Sequence, residues 1–477
     1  MKLLIIGVDG FSKETIMSGF TPSISDALDK NGHIFNTFTD LYSRGWLEII
    51  LGEHANKTYA TYDRPVCNGT LEWHEGYKIS DCPNYKKEIN PFWSELNKKN
   101  FKVGVVNLPT TYPADHDCSF FISGGGGGAP VTSVPTKEMC YPTNIRERLL
   151  DNNYIVDERI KECVIDNHCN TEKKILARMI NKNNLRTKSF IELAKEFKID
   201  CGCIVYKTSS NLAETFRLNN LQLPHTKNIT NALQEYFSAF EKNIKDLQNN
   251  FPKTDILLVA DHGLIEKKYS FNPNILLQNL GYQYSSGKKS MSSKIIIVLK
   301  RILPFSIKKR LKNNKKLNSY ARNNIKFTKD SVAFCRAFGD WRYGIYIYDE
   351  KRFGGKVNSE YIFKIAKEIC NKLNKQKVII DNNIRCFQKS KTDPNWFPDI
   401  MFDMPNGIHI NDQINNVFRN ENIKIKNLLK TILSGRITVL KSSNPLVALL
   451  RKSDEIKIDF PDFIKLTDVK KILNMYF

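Results

Sequence analysis

The side chains with the greatest chemical potential stand at the ends of apolar runs. Leu3 to Val8 is apolar throughout and runs straight into Asp9. The run from Asp255 to Ala260 leads into Asp261-His262-Gly263. In a parallel α/β sheet the functional crevice lies at the carboxyl ends of the strands, so Asp9, Asp261 and His262 are expected on one edge of one sheet. Two carboxylates and an imidazole make a good site for one divalent cation, zinc or manganese. Between them in sequence, Ser43 precedes a short helix candidate, Arg44 to Leu51, which Gly52 stops. As the N-cap of that helix, Ser43 would lie where backbone N–H groups favour an anion. A hydroxyl there, touching a metal, is easier to deprotonate and becomes a better nucleophile. Arg44 could hold a phosphoryl oxygen in a fork of hydrogen bonds. Taken singly, Asp9-Gly10 is an ordinary strand-to-turn dipeptide and Ser43 an ordinary cap. The joint occurrence in this order carries the functional reading.

The elements that would position these residues alternate. Helices are expected at about Pro22–Lys30, Arg44–Leu51, Pro91–Lys99, Thr171–Phe197 and Ile229–Asn249. Strands are expected at Lys102–Asn107, Gly202–Tyr206 and Asp255–Ala260, beside the first run. Apolar runs without alternation mark strands covered on both faces. The pattern predicts an α/β fold with a mostly parallel central sheet and helices on both faces. Past residue 330, Gly344 to Tyr348 reads as a strand and Ser359 to Leu373 as a helix; residues 375–410 read as strands and turns. The run Gly124 to Gly128 lacks the Lys-Ser/Thr of a P-loop, so it reads as an active-site rim loop or a plain turn and no organic cofactor is expected.

The chain has 477 residues, 41% hydrophobic and 26% charged, which suits a folded α/β protein with insertions. Its net charge of +22 attracts polyanions, although a Lys-, Asn- and Ile-rich composition gives a basic surface without selection for one. No basic-aromatic stacking module or zinc-finger spacing is present, and no specific nucleic acid is expected as a partner. The 11 cysteines follow no disulfide framework and fit reduced thiols in a cytosol. No stretch approaches the roughly 20 apolar residues needed to span a bilayer. Residues 285–325 crowd lysines and arginines among Ile295 to Leu299, Ile302, Leu303 and Phe305. Such a basic amphipathic helical insertion suits an anionic membrane surface or a solvated helical hairpin. The division expected is therefore a catalytic domain of residues 1–284 and 326–477, interrupted by the 285–325 insertion.

At this point a family resemblance emerges. MKLLIIGVDG, SRGWLEIILGEHA and ILLVADHG resemble the alkaline phosphatase superfamily in its type I phosphodiesterase and nucleotide pyrophosphatase branch. FWSELNKKNFKVGVVNLPTTYPA, FNPNILLQNLGY, GIYIYDEKRFGGKV and FPDIMFDMP extend the similarity over most of the chain. The resemblance implies a metal site formed by the strand-end Asp, the nucleophile and the Asp-His pair, which map to Asp9, Ser43, Asp261 and His262. Alignment on Trp46 and Gly52 puts Tyr42 where that branch has Thr; Ser43 is preferred, because a primary hydroxyl at a helix start suits the chemistry and a phenol does not. The branch's second metal site maps to Ser210, Glu214 and Asn444, so a second metal is not expected. A single-metal site of this kind is similar to that of phosphoethanolamine transferases and lipoteichoic acid synthases.

The function implied is phosphoryl transfer, by a phosphodiesterase or a phospho-group transferase, through a seryl nucleophile. Its partner would be a phosphorylated small molecule or a glycan, such as a nucleotide- or lipid-linked sugar in bacterial surface polysaccharide synthesis. With one metal, another group must activate the acceptor or leaving oxygen; His54, Glu214, His225 and His409 are candidates, with Glu214 and His409 placed first. The place expected is the cytoplasm, with the inner membrane face as a working surface. The competing reading is a non-catalytic superfamily descendant that binds an anionic ligand or partner.

Overall fold

The structure is a computed structural model. It describes every residue except 127, 131–133, 159, 161–170, 208–209, 211, 213–226, 285–326, 339–341, 413, 422–438 and 453–460. The expected insertion at 285–325, Glu214 and His225 lie outside the described residues.

The strand Leu3–Val8 is the centre from which the rest is built. All six of its residues are buried, and it pairs in parallel with Asp255–Val259 on one side and Cys201–Tyr206 on the other. The sheet has eight strands, in the order Gly32–Ile34, Val447–Leu450, Asp255–Val259, Leu3–Val8, Cys201–Tyr206, Val103–Leu108, Phe120–Ser123, Cys140–Tyr141. The five from Asp255–Val259 to Phe120–Ser123 run parallel; Val447–Leu450 and Cys140–Tyr141 run antiparallel to their neighbours.

The two faces of this sheet bury different sets, as alternation along a strand requires. Leu4, Ile6 and Val8 join a core with residues of the long helices Glu172–Phe197 and Lys227–Asn250, such as Phe190, Leu193, Phe237 and Phe240. Leu3 and Ile5 face the opposite core with Leu47, Ile50, Trp93 and Leu96 from the helices Gly45–Leu51 and Phe92–Lys98. Helices therefore cover both faces, and the expected mostly parallel α/β architecture is the one observed. Thr171 caps the first long helix, its hydroxyl accepting from the Lys174 N–H.

A second, antiparallel sheet follows in the C-terminal half: Ala333–Ala337, Tyr343–Ile347, Ile400–Asp403 and Arg385–Gln388, in that order, with the helix Ile362–Leu373 contributing Ala366, Ile369 and Leu373 to the same core. The segments GIYIYDEKRFGGKV and FPDIMFDMP meet here in a buried ion cluster. Arg352 donates to Asp349 at 2.6 Å and to Asp399 at 2.6 Å, and Lys389 lies 3.1 Å from Asp399. Both carboxylates are essentially without solvent contact. Removing the guanidinium strands buried negative charge, so Arg352→Met is expected to cost about 3–5 kcal/mol in denaturant unfolding. A loss below about 1 kcal/mol would show that these carboxylates do not depend on Arg352.

No helix among the described residues is long and apolar enough to cross a membrane. The described cysteines are all free thiols.

Candidate metal centre

The sheet register brings the site together. Gly7 stands opposite Val259 and Val8 opposite Tyr206, so Asp9 and Lys207 follow directly on the second pair, and Asp9 and Asp261 each lie two residues beyond the first. The Asp9 N–H donates to the Tyr206 carbonyl at 3.3 Å and extends that ladder by one bond. Asp9, Asp261 and His262 are buried, and one ligand atom from each lies within 4.8 Å of the others.

The polarity of these atoms points to a cation. The His262 Nδ1 lies 2.8 Å from the Gly263 carbonyl, which can only accept, so Nδ1 carries the proton and Nε2 presents its lone pair. Nε2 faces Asp9 Oδ1 and Asp261 Oδ2, each at 3.5 Å. Burial, and then Lys441, lowers the His262 pKa to about 3, so the ring is neutral at physiological pH. Burial, and then the Asp9 charge, pushes the Asp261 carboxyl well above the usual carboxylate range. Asp261 Oδ1 is buried without a hydrogen-bond partner. Acceptors facing one another in a dry site are destabilising until a cation joins them. The residues present therefore fit a divalent metal.

The helix that follows Ser43 docks against the same strand ends. Gly45, its first residue, lies so close to Asp261 that an added Cβ would come within 2.3 Å of the Asp261 carbonyl oxygen. Next along, Trp46 lies over Gly7, and its indole N–H donates to Asp9 Oδ2 at 3.2 Å. Two glycines thus dock this helix against the ends of two strands. The Trp46 contact orients Asp9 as an outer-shell partner orients a metal ligand. Trp46→Phe keeps the ring packing and is expected to weaken metal affinity about 10–100-fold in a chelator competition; unchanged affinity would show that the indole N–H has no part in metal binding.

The structure corrects one sequence expectation. Ser43 is not the helix N-cap; Arg44 is, and its side chain makes no capping bond. The Arg44 N–H is taken by the Ala60 carbonyl at 2.9 Å, while its own carbonyl accepts from Leu47 and Glu48. The helix therefore begins one residue later than a serine cap would require. Ser43 Oγ is buried and makes no hydrogen bond of good geometry, so capping does not hold it. Tyr42 points elsewhere: its buried hydroxyl accepts from the Phe402 N–H at 3.0 Å and donates to the Tyr343 carbonyl at 3.3 Å, and burial raises its pKa.

Arg44 stacks on Tyr62, 4.0 Å from the ring centroid, and its Nη1 lies 3.5 Å from Thr110 Oγ1. His54 pairs with Asp40 at 3.0 Å and lies 4.0 Å from Glu48. Burial, and then the Asp40 charge, raises the Glu48 pKa to about 8. His409 is placed in the three-stranded sheet of Tyr269–Phe271, Ile408–Ile410 and Phe418–Asn420, where burial and then Lys267 lower its pKa to about 4. Ser210 lies beside Gly10, and the Asn444 carbonyl lies beside Gly263, so both border the cluster. Sequence reasoning missed Lys207 and Lys441. Lys207 follows a buried strand just as Asp9 and Asp261 do, and the same strand-end rule would have found it. It pairs with Asp157 at 3.1 Å.

No family model matches the sequence. No curated protein matches it either. Among solved structures the chain is similar to phosphonoacetate hydrolase from Sinorhizobium meliloti. Against its complex with phosphonoformate the identity is 9%, the match covers 100% of this chain and 95% of the other, and the TM-score is 0.58. Against its complex with phosphonoacetate the identity is 10%, with the same coverage and a TM-score of 0.51. A murine ectonucleotide pyrophosphatase/phosphodiesterase 5 matches at 12% identity over 100% and 95% of the two chains, with a TM-score of 0.47. At these identities the likeness is one of fold, and the fold is alkaline-phosphatase-like.

Proposed function

We propose that the protein is a metal-dependent phosphoryl-transfer enzyme, with Asp9, Asp261, His262 and the Ser43 hydroxyl as ligands of one divalent cation, zinc or manganese, and Ser43 as nucleophile. The observation that carries this reading is the convergence of a neutral imidazole lone pair and two carboxylates, one with an orphaned oxygen, at the edge where the helix after Ser43 docks. A cation bound there would supply Lewis acidity, easing loss of the hydroxyl proton and offsetting phosphoryl charge.

The chain's own residues do the rest. Ser43 Oγ, its proton passing to water, attacks phosphorus in line with the leaving oxygen, and the bond to that oxygen breaks with its electron pair, the oxygen taking a proton from water. Arg44 holds a phosphoryl oxygen in its guanidinium fork, with Tyr62 fixing the plane of that fork. An acceptor hydroxyl, from water or a glycan, then attacks the phosphoseryl group and frees Ser43. The substrate class is a small phosphoryl-bearing anion. The phosphonoacetate hydrolase that shares the fold is named for a substrate of this kind. A nucleotide- or lipid-linked sugar of surface polysaccharide synthesis, met by a cytoplasmic chain at an anionic membrane face, is the physiological setting we favour.

The test is intact-mass analysis after incubation with bis(p-nitrophenyl) phosphate and zinc or manganese. The expected result is p-nitrophenol release with a transient adduct on Ser43. Metal-free protein and no release would favour instead a non-catalytic descendant that binds anions.

A further inference from the structure

The ribbon that follows His262 carries a cation into the site. Gly263–Glu266 pairs antiparallel with Val439–Ser442, and this register sets Lys441 opposite Leu264, two residues past His262. The Lys441 Nζ lies 4.0 Å from Asp261 Oδ2 and 3.4 Å from the Tyr62 hydroxyl. Its side chain is 14% exposed, so it is largely covered but keeps some contact with solvent. Its charge reaches both neighbours: behind burial and Asp9 it opposes the rise of the Asp261 pKa, and behind burial it adds to the fall of the His262 pKa. Tyr62 links the two basic groups: the Arg44 guanidinium stacks on its ring at 4.0 Å and Lys441 stands 5.6 Å from the same centroid.

A substrate phosphoryl group brings negative charge to a site that already holds two carboxylates. A phosphoryl group in transfer needs cationic groups already in place to offset the charge that develops on its oxygens. An ammonium about 4 Å from a metal-binding carboxylate meets that need and opposes a second dication beside Asp261.

We propose that Lys441 is a further catalytic residue, whose ammonium hydrogen-bonds a phosphoryl oxygen of the substrate and offsets the charge that grows on it in the transition state. The proposal rests on the phosphoryl-transfer reading above. In the step, the bond from Ser43 Oγ to phosphorus forms as the hydroxyl proton passes to water, and the bond to the leaving oxygen breaks, its electron pair departing with that oxygen, which takes a proton from water. Lys441 keeps its protons and acts as a hydrogen-bond donor.

The test is calorimetric titration of the full-length, metal-loaded chain with inorganic phosphate, with metal content measured on the same samples. Lys441→Met is expected to weaken phosphate binding roughly 10-fold or more with metal content unchanged. Lys441→Arg is expected to stay within about threefold of wild type, because the charge is kept. Phosphate binding by Lys441→Met equal to wild type overturns the proposal. So does loss of metal in that variant, which would make Lys441 a support for Asp261 alone. A wild-type chain that takes up no metal counts against the proposed function, while phosphate titration of that chain and of Lys441→Met still decides the role of Lys441.

Discussion

Replacing Ser43 by alanine is expected to lower phosphoryl transfer by about 10³-fold or more while leaving the thermal transition within a few degrees of wild type. The fold should hold because alanine keeps the buried Cβ of Ser43 and removes a single hydroxyl. Both parts of the result matter. Lost activity with an intact fold assigns the hydroxyl to chemistry. Full activity in the variant would move the nucleophile elsewhere. The companion change, Tyr42→Phe, should do the reverse. It strands the Phe402 N–H and the Tyr343 carbonyl, costing about 1–3 kcal/mol, and leaves turnover near wild type.

The second large effect is expected at Asp261. Asp261→Asn keeps the shape of the side chain but removes one charge from the acceptor cluster and adds an amide that cannot coordinate as a carboxylate does. Metal affinity should fall by more than the roughly 10–100-fold typical of an outer-shell change, and bound metal after dialysis should drop to background. His262→Ala should act in the same direction through the loss of Nε2. Elemental analysis of the dialysed variants is the measurement. Wild-type occupancy in both would mean that the metal is held somewhere else. In the metal-free state Asp261→Asn should be neutral or stabilising, because burial already holds that carboxyl far above its usual pKa.

Much of this site was legible in the amino-acid order. Uninterrupted apolar runs such as Leu3–Val8 announce strands covered on both faces, and a parallel sheet puts the residues that follow them on one edge. Asp9, Asp261 and His262 could therefore be grouped without coordinates. The helix boundary near Ser43 was harder, because it turns on one long-range bond, Arg44 N–H to the Ala60 carbonyl. The part played by Trp46 depends on Gly7 leaving room across the sheet, a packing fact that no local pattern encodes. Lys441 was invisible for a related reason. It reaches the site only because a late strand returns to pair with the residues after His262. Lys207 was missed although its position at the end of Cys201–Tyr206 met the same rule that found the two aspartates.

The most direct test of the whole account is an anomalous-scattering map from crystals grown with zinc. One peak is expected, about 2.0–2.2 Å from Asp9, Asp261, His262 Nε2 and the Ser43 hydroxyl together. A map with no peak at these residues, or a peak there with Ser43 turned out of reach, would contradict it.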